Sequence, residues 1–288
     1  MSRRADAPGR DELDLTVPPS IAAALDRYAP EVVINAAAYT DVDGAEADEA
    51  GARAINTDGV ESLAVACRDR GIRLIHVSTD YVFSGEVPGG GAPDTAPGLE
   101  PGDPTAPTTA YGRTKLAGER AALAVYPATT IVRTAWLYTG AWRVLDGQPG
   151  GDFVATMIRL ESERETLNVV NDQWGSPTYV GALADSLLTL LSAEKAGKVD
   201  ARGRTLHVAG GGRATWYDLA RQVFTLLGAD PDRVQPCTSE EFPRPAPRPT
   251  FSVLAGTAWR DLGLGSPPDW RYDLRPGLLY YASQRDAH

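Results

Sequence analysis

The apolar run Leu74-Ile75-His76-Val77 breaks off in Ser78-Thr79-Asp80, and no other feature of the 288-residue chain restricts its fold as tightly. An unbroken apolar run is a strand buried on both faces, which is the mark of a parallel sheet. Its polar end then lies at the carboxyl edge of the sheet, where open α/β sheets bind ligands. The pattern recurs. Glu31-Val-Val-Ile-Asn35 runs into Ala36-Ala37-Ala38 and Tyr39-Thr40-Asp41. Thr129-Thr-Ile-Val-Arg-Thr134 runs into Ala135-Trp136-Leu137-Tyr138, and Leu167-Asn-Val-Val-Asn171 into the segment 172–179. Between the strands the apolar spacing turns helical, as at Val60, Leu63, Ala64 and Cys67, and helices are expected from about Glu46, from Tyr111 to about Val125, over 153–160 and from about Val180 to Leu191. An earlier helix, Ile21 to Tyr28, has Ser20 as its expected N-cap. Strand, crossover helix, strand is the grammar of a doubly wound, Rossmann-like α/β fold.

The second informative piece is Tyr111-Gly-Arg-Thr-Lys115. Residues four apart share one helix face. Only Lys115, Lys195 and Lys198 are lysines, so one of them four places after a tyrosine carries weight. If this helix passes the end of the 73–77 strand, Thr79, Tyr111 and Lys115 can converge on one carbonyl group, as proton-coupled hydride transfer requires. The stretch from Ser84 to Thr109 is rich in Gly and Pro and carries Glu86, Asp94, Glu100 and Asp103; a connection of that length reads as a lip over the crevice. The last third is less regular. Leu206-His-Val-Ala209 reads as a short strand, Gly210 to Gly212 as a plain turn, Trp216 to Leu227 as a helix and Phe242 to Pro249 as an extended segment. These patterns divide the chain into an incomplete dinucleotide-binding domain, 1–145 continued by 164–194, and a smaller substrate-binding lobe, 146–163 with 195–288.

A net charge of −10 disfavours nucleic acid as a partner. No apolar run approaches the roughly 20 residues of a membrane span, and the polar stretch after Met1 lacks the apolar core of a secretory signal, so a cytoplasmic location is expected. Cys67 and Cys237 stand far apart without metal-ligand spacing, and His76, His207 and His288 form no zinc pattern. No metal is assigned, and Mg2+ in particular is not.

Taken together, Asn35-Ala-Ala-Ala-Tyr-Thr-Asp-Val-Asp43, Ser78-Thr79-Asp80-Tyr81-Val82-Phe83 and Tyr111-x-x-x-Lys115 resemble the extended short-chain dehydrogenase/reductases, and more narrowly their dTDP-4-dehydrorhamnose reductase branch. Arg133-Thr-Ala-Trp-Leu-Tyr138, Asp172-Gln-x-Gly-Ser-Pro-Thr178, Trp216 after the glycines, and Arg248-Pro249 followed by Ser252-Val-Leu254 extend the match over nearly the whole chain. The resemblance implies reduction of a dTDP-linked keto-sugar by NADPH, with NADH as the alternative donor and a homodimer as one assembly. It implies Tyr111 as proton donor, with Lys115 drawing its pKa down from about 10 and binding the nicotinamide ribose, and Thr79 orienting the carbonyl oxygen. It also sets Ala36, Ala37, Tyr39 and Asn56 along the cofactor and Asp14 and Leu15 beside its adenine. Asp80, Trp136 and Trp216 would border the sugar or nucleotide, and Arg248 would face the diphosphate. Bland readings stand beside these: the alanines as packing, either tryptophan as core, Arg248 as solvated.

The same resemblance implies an opening strand, a Gly-x-x-Gly-x-x-Gly turn and a second strand ahead of Asp14, none of which is in this sequence. Set between the 31–35 and 73–77 strands by the order 3-2-1-4-5-6, their loss would leave inner sheet edges unpaired and NADPH weakly held. A start codon lying further upstream is the preferred explanation. The alternatives are a truncated, cofactor-poor regulatory or binding subunit of the same fold, like the relatives that attach to methionine adenosyltransferase, and a different nucleotide-sugar reductase or epimerase.

Overall fold

The computed structural model describes residues 6–141 and 151–285. Its strands in chain order are β1 (Val32–Asn35), β2 (Arg73–Thr79), β3 (Thr130–Thr134), β4 (Leu137–Tyr138), β5 (Leu167–Val170), β6 (Trp174–Gly175), β7 (Thr178–Tyr179), β8 (Thr205–His207), β9 (Ala214–Thr215) and β10 (Val234–Cys237). The helices that matter below are α1 (Pro18–Tyr28), α2 (Val42–Ala47), α3 (Glu49–Arg53), α4 (Val60–Arg70), α5 (Ala110–Val125), α6 (Phe153–Glu163), α7 (Val180–Lys195) and α8 (Trp216–Leu226).

The central sheet is parallel, in the order β1-β2-β3-β8. Successive side chains of a strand point to opposite faces, and β2 shows what each face meets. Leu74 is buried with Ile21 and Leu25 of α1 and with Leu63, Ala64 and Cys67 of α4. Ile75 is buried on the other side with Val132, Leu206, Trp259 and Leu183, Leu187 and Leu190 of α7. Helices on both faces make the sheet doubly wound and Rossmann-like. Burying one such side chain contributes about 1.5–3 kcal/mol, so the continuous apolar run that identified β2 is also what anchors it.

Two local expectations change. α1 begins at Pro18 with Val17 as N-cap, because a proline at N1 has no amide to cap; the Ser20 hydroxyl instead accepts from the Asp14 amide at 3.0 Å and donates to the Asp14 carbonyl at 2.8 Å. The helix expected from Glu46 begins at Val42, where the Asp41 carboxylate caps α2, and Asp48 caps α3. A π-helical turn, Ala54–Gly59, then leads into α4.

The larger correction concerns strand order. β1 and β2 pair directly, Val32 opposite Arg73 and Asn35 opposite His76, so no strand belongs between them and no inner edge is left open there. The outer edge of β1 is the free one. Nor does the lobe boundary at 194/195 match the chain's path. β8, expected in the smaller lobe, completes the main sheet against β3, whereas β5, expected in the dinucleotide-binding domain, pairs with β10 in the lobe. The boundary at 145/146 lies outside the described residues. Val154, Met157 and Ile158 of α6 and Val223 and Phe224 of α8 form the lobe core with Trp270 and Leu274. Among the described residues, no helix is long and apolar enough to cross a membrane.

Candidate active site

The carboxyl ends of β1, β2 and β3 open into a cavity of about 800 Å³ whose far wall comes from the smaller lobe. Asn35 turns the chain out of β1: its side-chain oxygen accepts from the Ala37 amide at 3.1 Å, while its amide group sits 3.1 Å from His76 Nδ1. The alanine segment then crosses the strand ends with almost no side-chain bulk, and Ala36 and Ala38 line the cavity. From β2 come Val77, Ser78 and Thr79, followed at once by Asp80, and from β3 Thr134, which is opposite Thr79 in register. The hydroxyls of Ser78 and Thr134 are buried there without a hydrogen-bond partner. Orphaned buried hydroxyls in a cavity wall are what a bound polar ligand would satisfy.

α5 brings the phenol and the ammonium. Thr109 caps it, its hydroxyl accepting from the Gly112 amide at 3.0 Å, and Glu46 of α2 accepts from the Ala110 amide at 2.8 Å. Gly112 lies so close to the Tyr81 carbonyl that a Cβ there would overlap it, and Gly118 approaches the Asn56 carbonyl in the same way. Tyr111, in the first turn, meets Tyr81 edge to face with centroids 5.5 Å apart. Thr79, Tyr111 and Lys115 all line the cavity.

The electrostatics differ from expectation. Burial pushes the Tyr111 phenol up to about 12, opposed by the Thr79 hydroxyl's hydrogen bond and reinforced by Asp80. Lys115 does not pull it toward neutrality, because its ammonium turns away to donate to the Val77 carbonyl at 2.8 Å; burial lowers Lys115 itself to about 8, with Glu119 opposing. Asp80 is raised to about 6 by burial, less the hydrogen bonds from Ser252 and Thr79. Thr79 Oγ1 donates to Asp80 Oδ1 at 3.0 Å and accepts from the Tyr81 amide at 3.2 Å.

The other expected residues separate into two groups. Trp136, Trp216 and Arg248 line the cavity. The two indoles stack 3.6 Å apart and within 5° of parallel, and Trp216 Nε1 donates to Gln173 at 3.1 Å. Trp136 has a left-handed backbone, φ 46, and its ring covers Gly175 so closely that no Cβ fits there. Ala37, Asn56, Tyr39, Asp14 and Leu15 do not line the cavity. Asn56 is fully buried and acts as a clamp, accepting from the Tyr39 amide at 2.8 Å and donating to the Tyr39 carbonyl and to Thr114 of α5. Leu15 belongs to the core under α1 and α4, and Asp14 is spent on Thr16 and Arg10.

A nicotinamide nucleotide fits this wall at one end. The buried lysine, the orphaned Ser78 and Thr134 hydroxyls and the bare alanine segment suit a ribose and a flat ring at the strand ends, while the glycine turn that would cradle a pyrophosphate is not in the sequence. Among the described residues, no group of three or more His, Cys, Asp or Glu side chains could hold a metal ion.

Comparison with known proteins decides the family. The profile described as "RmlD substrate binding domain" matches residues 2–281. The dTDP-4-dehydrorhamnose reductase of Mycobacterium tuberculosis is 47% identical over 284 residues, covering 96% of this chain and 88% of the relative. This chain belongs to the dTDP-4-dehydrorhamnose reductase family. Among solved structures, the family member from Clostridium acetobutylicum is 36% identical with a TM-score of 0.80, covering 96% of this chain and 89% of that one. The Bacillus anthracis dTDP-4-dehydrorhamnose reductase, solved in complex with NADP, is 33% identical, also at 0.80, with 96% and 88% covered. A probable dTDP-4,6-dihydroxy-2-methyloxan-3-one 4-ketoreductase of Streptomyces antibioticus is 46% identical over 93% of this chain and 83% of its own length.

For this family member, sequence reasoning missed Ser78, Thr134, Gln173, Ser252 and Arg244 in the cavity wall. Ser78 and Thr134 had a signal, since each ends or nearly ends a strand already identified. Ser252 stands in the Ser252-Val-Leu254 segment that carried the resemblance, whereas Arg244 had no signal: its place depends on how residues 242–254 fold back across the strand ends.

Proposed function

We propose that the chain reduces the 4-keto group of dTDP-4-dehydro-L-rhamnose to give dTDP-L-rhamnose, with NADPH as the donor. The observation that carries this is that Thr79, Tyr111 and Lys115 line one cavity, which also holds an indole pair and two arginines. When bound, the nicotinamide supplies a hydride to the carbonyl carbon. The chain's own task is the oxygen. The Tyr111 phenol, protonated up to about pH 12, holds a proton ready for the oxygen as charge develops on it. The Thr79 hydroxyl, next to the phenol, orients that oxygen and shares its developing charge. Lys115, its ammonium held on the Val77 carbonyl, is suited together with Tyr111 to hold the nicotinamide ribose. Asp80 and the stacked Trp136 and Trp216 border the sugar, and Ala36 and Ala37 leave the cofactor room. Asn56 contributes by fixing Tyr39 and α5. The Bacillus anthracis relative's complex with NADP supports NADPH over NADH, and a biosynthetic NADPH reaction suits the cytoplasm.

The test is loss of NADPH absorbance when the purified chain meets dTDP-4-dehydro-L-rhamnose, with the product identified by NMR. No oxidation in a preparation that binds dTDP would sink the reductase reading and favour a binding subunit. A second reading, reduction of a different dTDP-linked keto-sugar, is favoured by relatives such as the dTDP-4-keto-6-deoxy-D-glucose reductase of Streptomyces niveus, 44% identical over 91% of this chain. A panel of keto-sugars ranked by kcat/KM separates the two.

A further inference from the structure

Arg248 lines the cavity, but its guanidinium is already half engaged. Asp43 of α2 takes its end: Oδ1 accepts from Nη1 at 2.9 Å and Oδ2 from Nη2 at 2.8 Å. Nη1 donates in addition to the Ala246 carbonyl at 3.0 Å, and the Ala246 amide donates back to Asp43 Oδ1 at 3.1 Å. One carboxylate thereby fixes the Ala246–Arg248 turn of the smaller lobe onto the dinucleotide-binding half, across 205 residues of sequence. A guanidinium has five N–H groups in a planar fork with two edges, each able to take a pair of oxygens. Asp43 occupies the Nη1/Nη2 edge. The Nε edge, which pairs Nε–H with the second Nη2–H, is used by no hydrogen bond among the described residues. Arg244, also in the cavity wall, lies 4.0 Å from Asp43 Oδ2, so two cations share one anion. Burial alone would raise the Asp43 carboxyl, but hydrogen bonds from Arg248 and Ala246 hold it below the usual range, and it stays charged at neutral pH.

We propose that Asp43 is a positioning residue: it grips one edge of the Arg248 guanidinium so that the other edge is presented, already oriented, to the diphosphate of the nucleotide-sugar. A fork fixed in advance loses less rotamer entropy on binding than a free arginine, so the ion pair raises diphosphate affinity even though Asp43 itself is an anion. This inference rests on the dTDP-sugar reading above, but it is read out by dTDP binding without turnover. A chain that binds dTDP yet reduces nothing would end the proposed function and leave this proposal standing.

The experiment is calorimetric titration of dTDP, thymidine and NADPH into wild type, Asp43→Asn, Arg248→Ala, Arg248→Lys and the Asp43→Asn/Arg248→Ala double variant. Asp43→Asn is expected to weaken dTDP roughly tenfold, with thymidine and NADPH changed less than about twofold. In turnover the loss would fall on KM for the keto-sugar and spare kcat. Arg248→Lys, which keeps the charge and loses the second edge, is expected to weaken dTDP by a similar factor, and it tests the edge even if Asp43→Asn folds poorly. In the Arg248→Ala background, Asp43→Asn should have no further effect. Unchanged or tighter dTDP binding in Asp43→Asn would overturn the proposal. So would wild-type affinity in Arg248→Lys, or an additive loss in the double variant, which would mark Asp43 as a brace between lobes and nothing more.

Discussion

At the scale of single residues, the site sets two buried groups against water, and each yields a test. Tyr111→Phe keeps the ring's edge contact with Tyr81 and removes the proton; kcat for NADPH oxidation should fall by roughly two to four orders of magnitude with little change in melting temperature. Turnover at the wild-type rate would remove Tyr111 from the mechanism. Asp80 is a matter of stability. Its folded pKa, about 6, lies above the usual carboxylate value. A raised acid favours folding while it is protonated and loses that advantage as pH rises from about 4 through about 6. Above that range the buried carboxylate costs on the order of 3 kcal/mol. Asp80→Asn keeps an acceptor for the Thr79 hydroxyl and removes the charge, so it should raise the melting temperature at pH 8 and leave it unchanged near pH 4. An equal gain at both pH values would show that charge is not the cause. The Thr79-Asp80 pair was legible as the polar end of a buried strand. That Ser252 stands in the same cavity wall was not, because it comes 172 positions later in a segment with no periodicity of its own.

At the scale of elements, α5 does most of the positioning. Its extent, Ala110–Val125, agrees with the pattern read from the sequence, because its capping threonine, apolar spacing and closing Tyr-Pro are all local. What it touches was not local. Arg133 of β3 donates to Glu119 through Nε at 2.9 Å and Nη2 at 2.7 Å, both side chains nearly sealed from solvent, and Gly118 rests on the backbone of Asn56. Asn56, which resemblance set along the cofactor, is the other half of that contact. Two effects compete in Gly118→Ala. Alanine improves helix propensity by about 1 kcal/mol, while forcing a methyl into a packed backbone contact costs typically 1–3 kcal/mol. Because the obstacle is a carbonyl and no flexible side-chain end, the second should win, with a net loss of up to about 2 kcal/mol in urea denaturation. A more stable variant would mean that α5 can move off Asn56. Gly175→Ala, in strand β6, sets a methyl against the Trp136 ring and should displace the indole enough to change its fluorescence.

At the scale of the molecule, the alternation of strands and helices was readable, but the order of the strands and the border of the lobes were not. Periodicity reports which face of an element is buried, and it carries no record of which neighbour buries it. Hence the sequence pattern alone sets β1 apart from β2 and puts β8 in the smaller lobe, whereas β1, β2 and β8 belong to one sheet. The chain in fact crosses between its halves repeatedly. Leu99 exchanges hydrogen bonds with Val253 and Ala255, Phe251 donates to Gly85, and Ser252 donates to Trp174. Halves joined in this way should melt together: calorimetry is expected to give one transition with calorimetric and van't Hoff enthalpies equal, and two resolved transitions would contradict it. The place of β8 has one more consequence, for a chain being made on the ribosome. After β3 has emerged, its outer edge waits about 70 residues for Thr205–His207, roughly 4–14 s at ordinary rates of synthesis. For that interval the nascent sheet offers an open apolar edge, so the most dangerous moment for aggregation falls during translation and ends when a three-residue strand arrives.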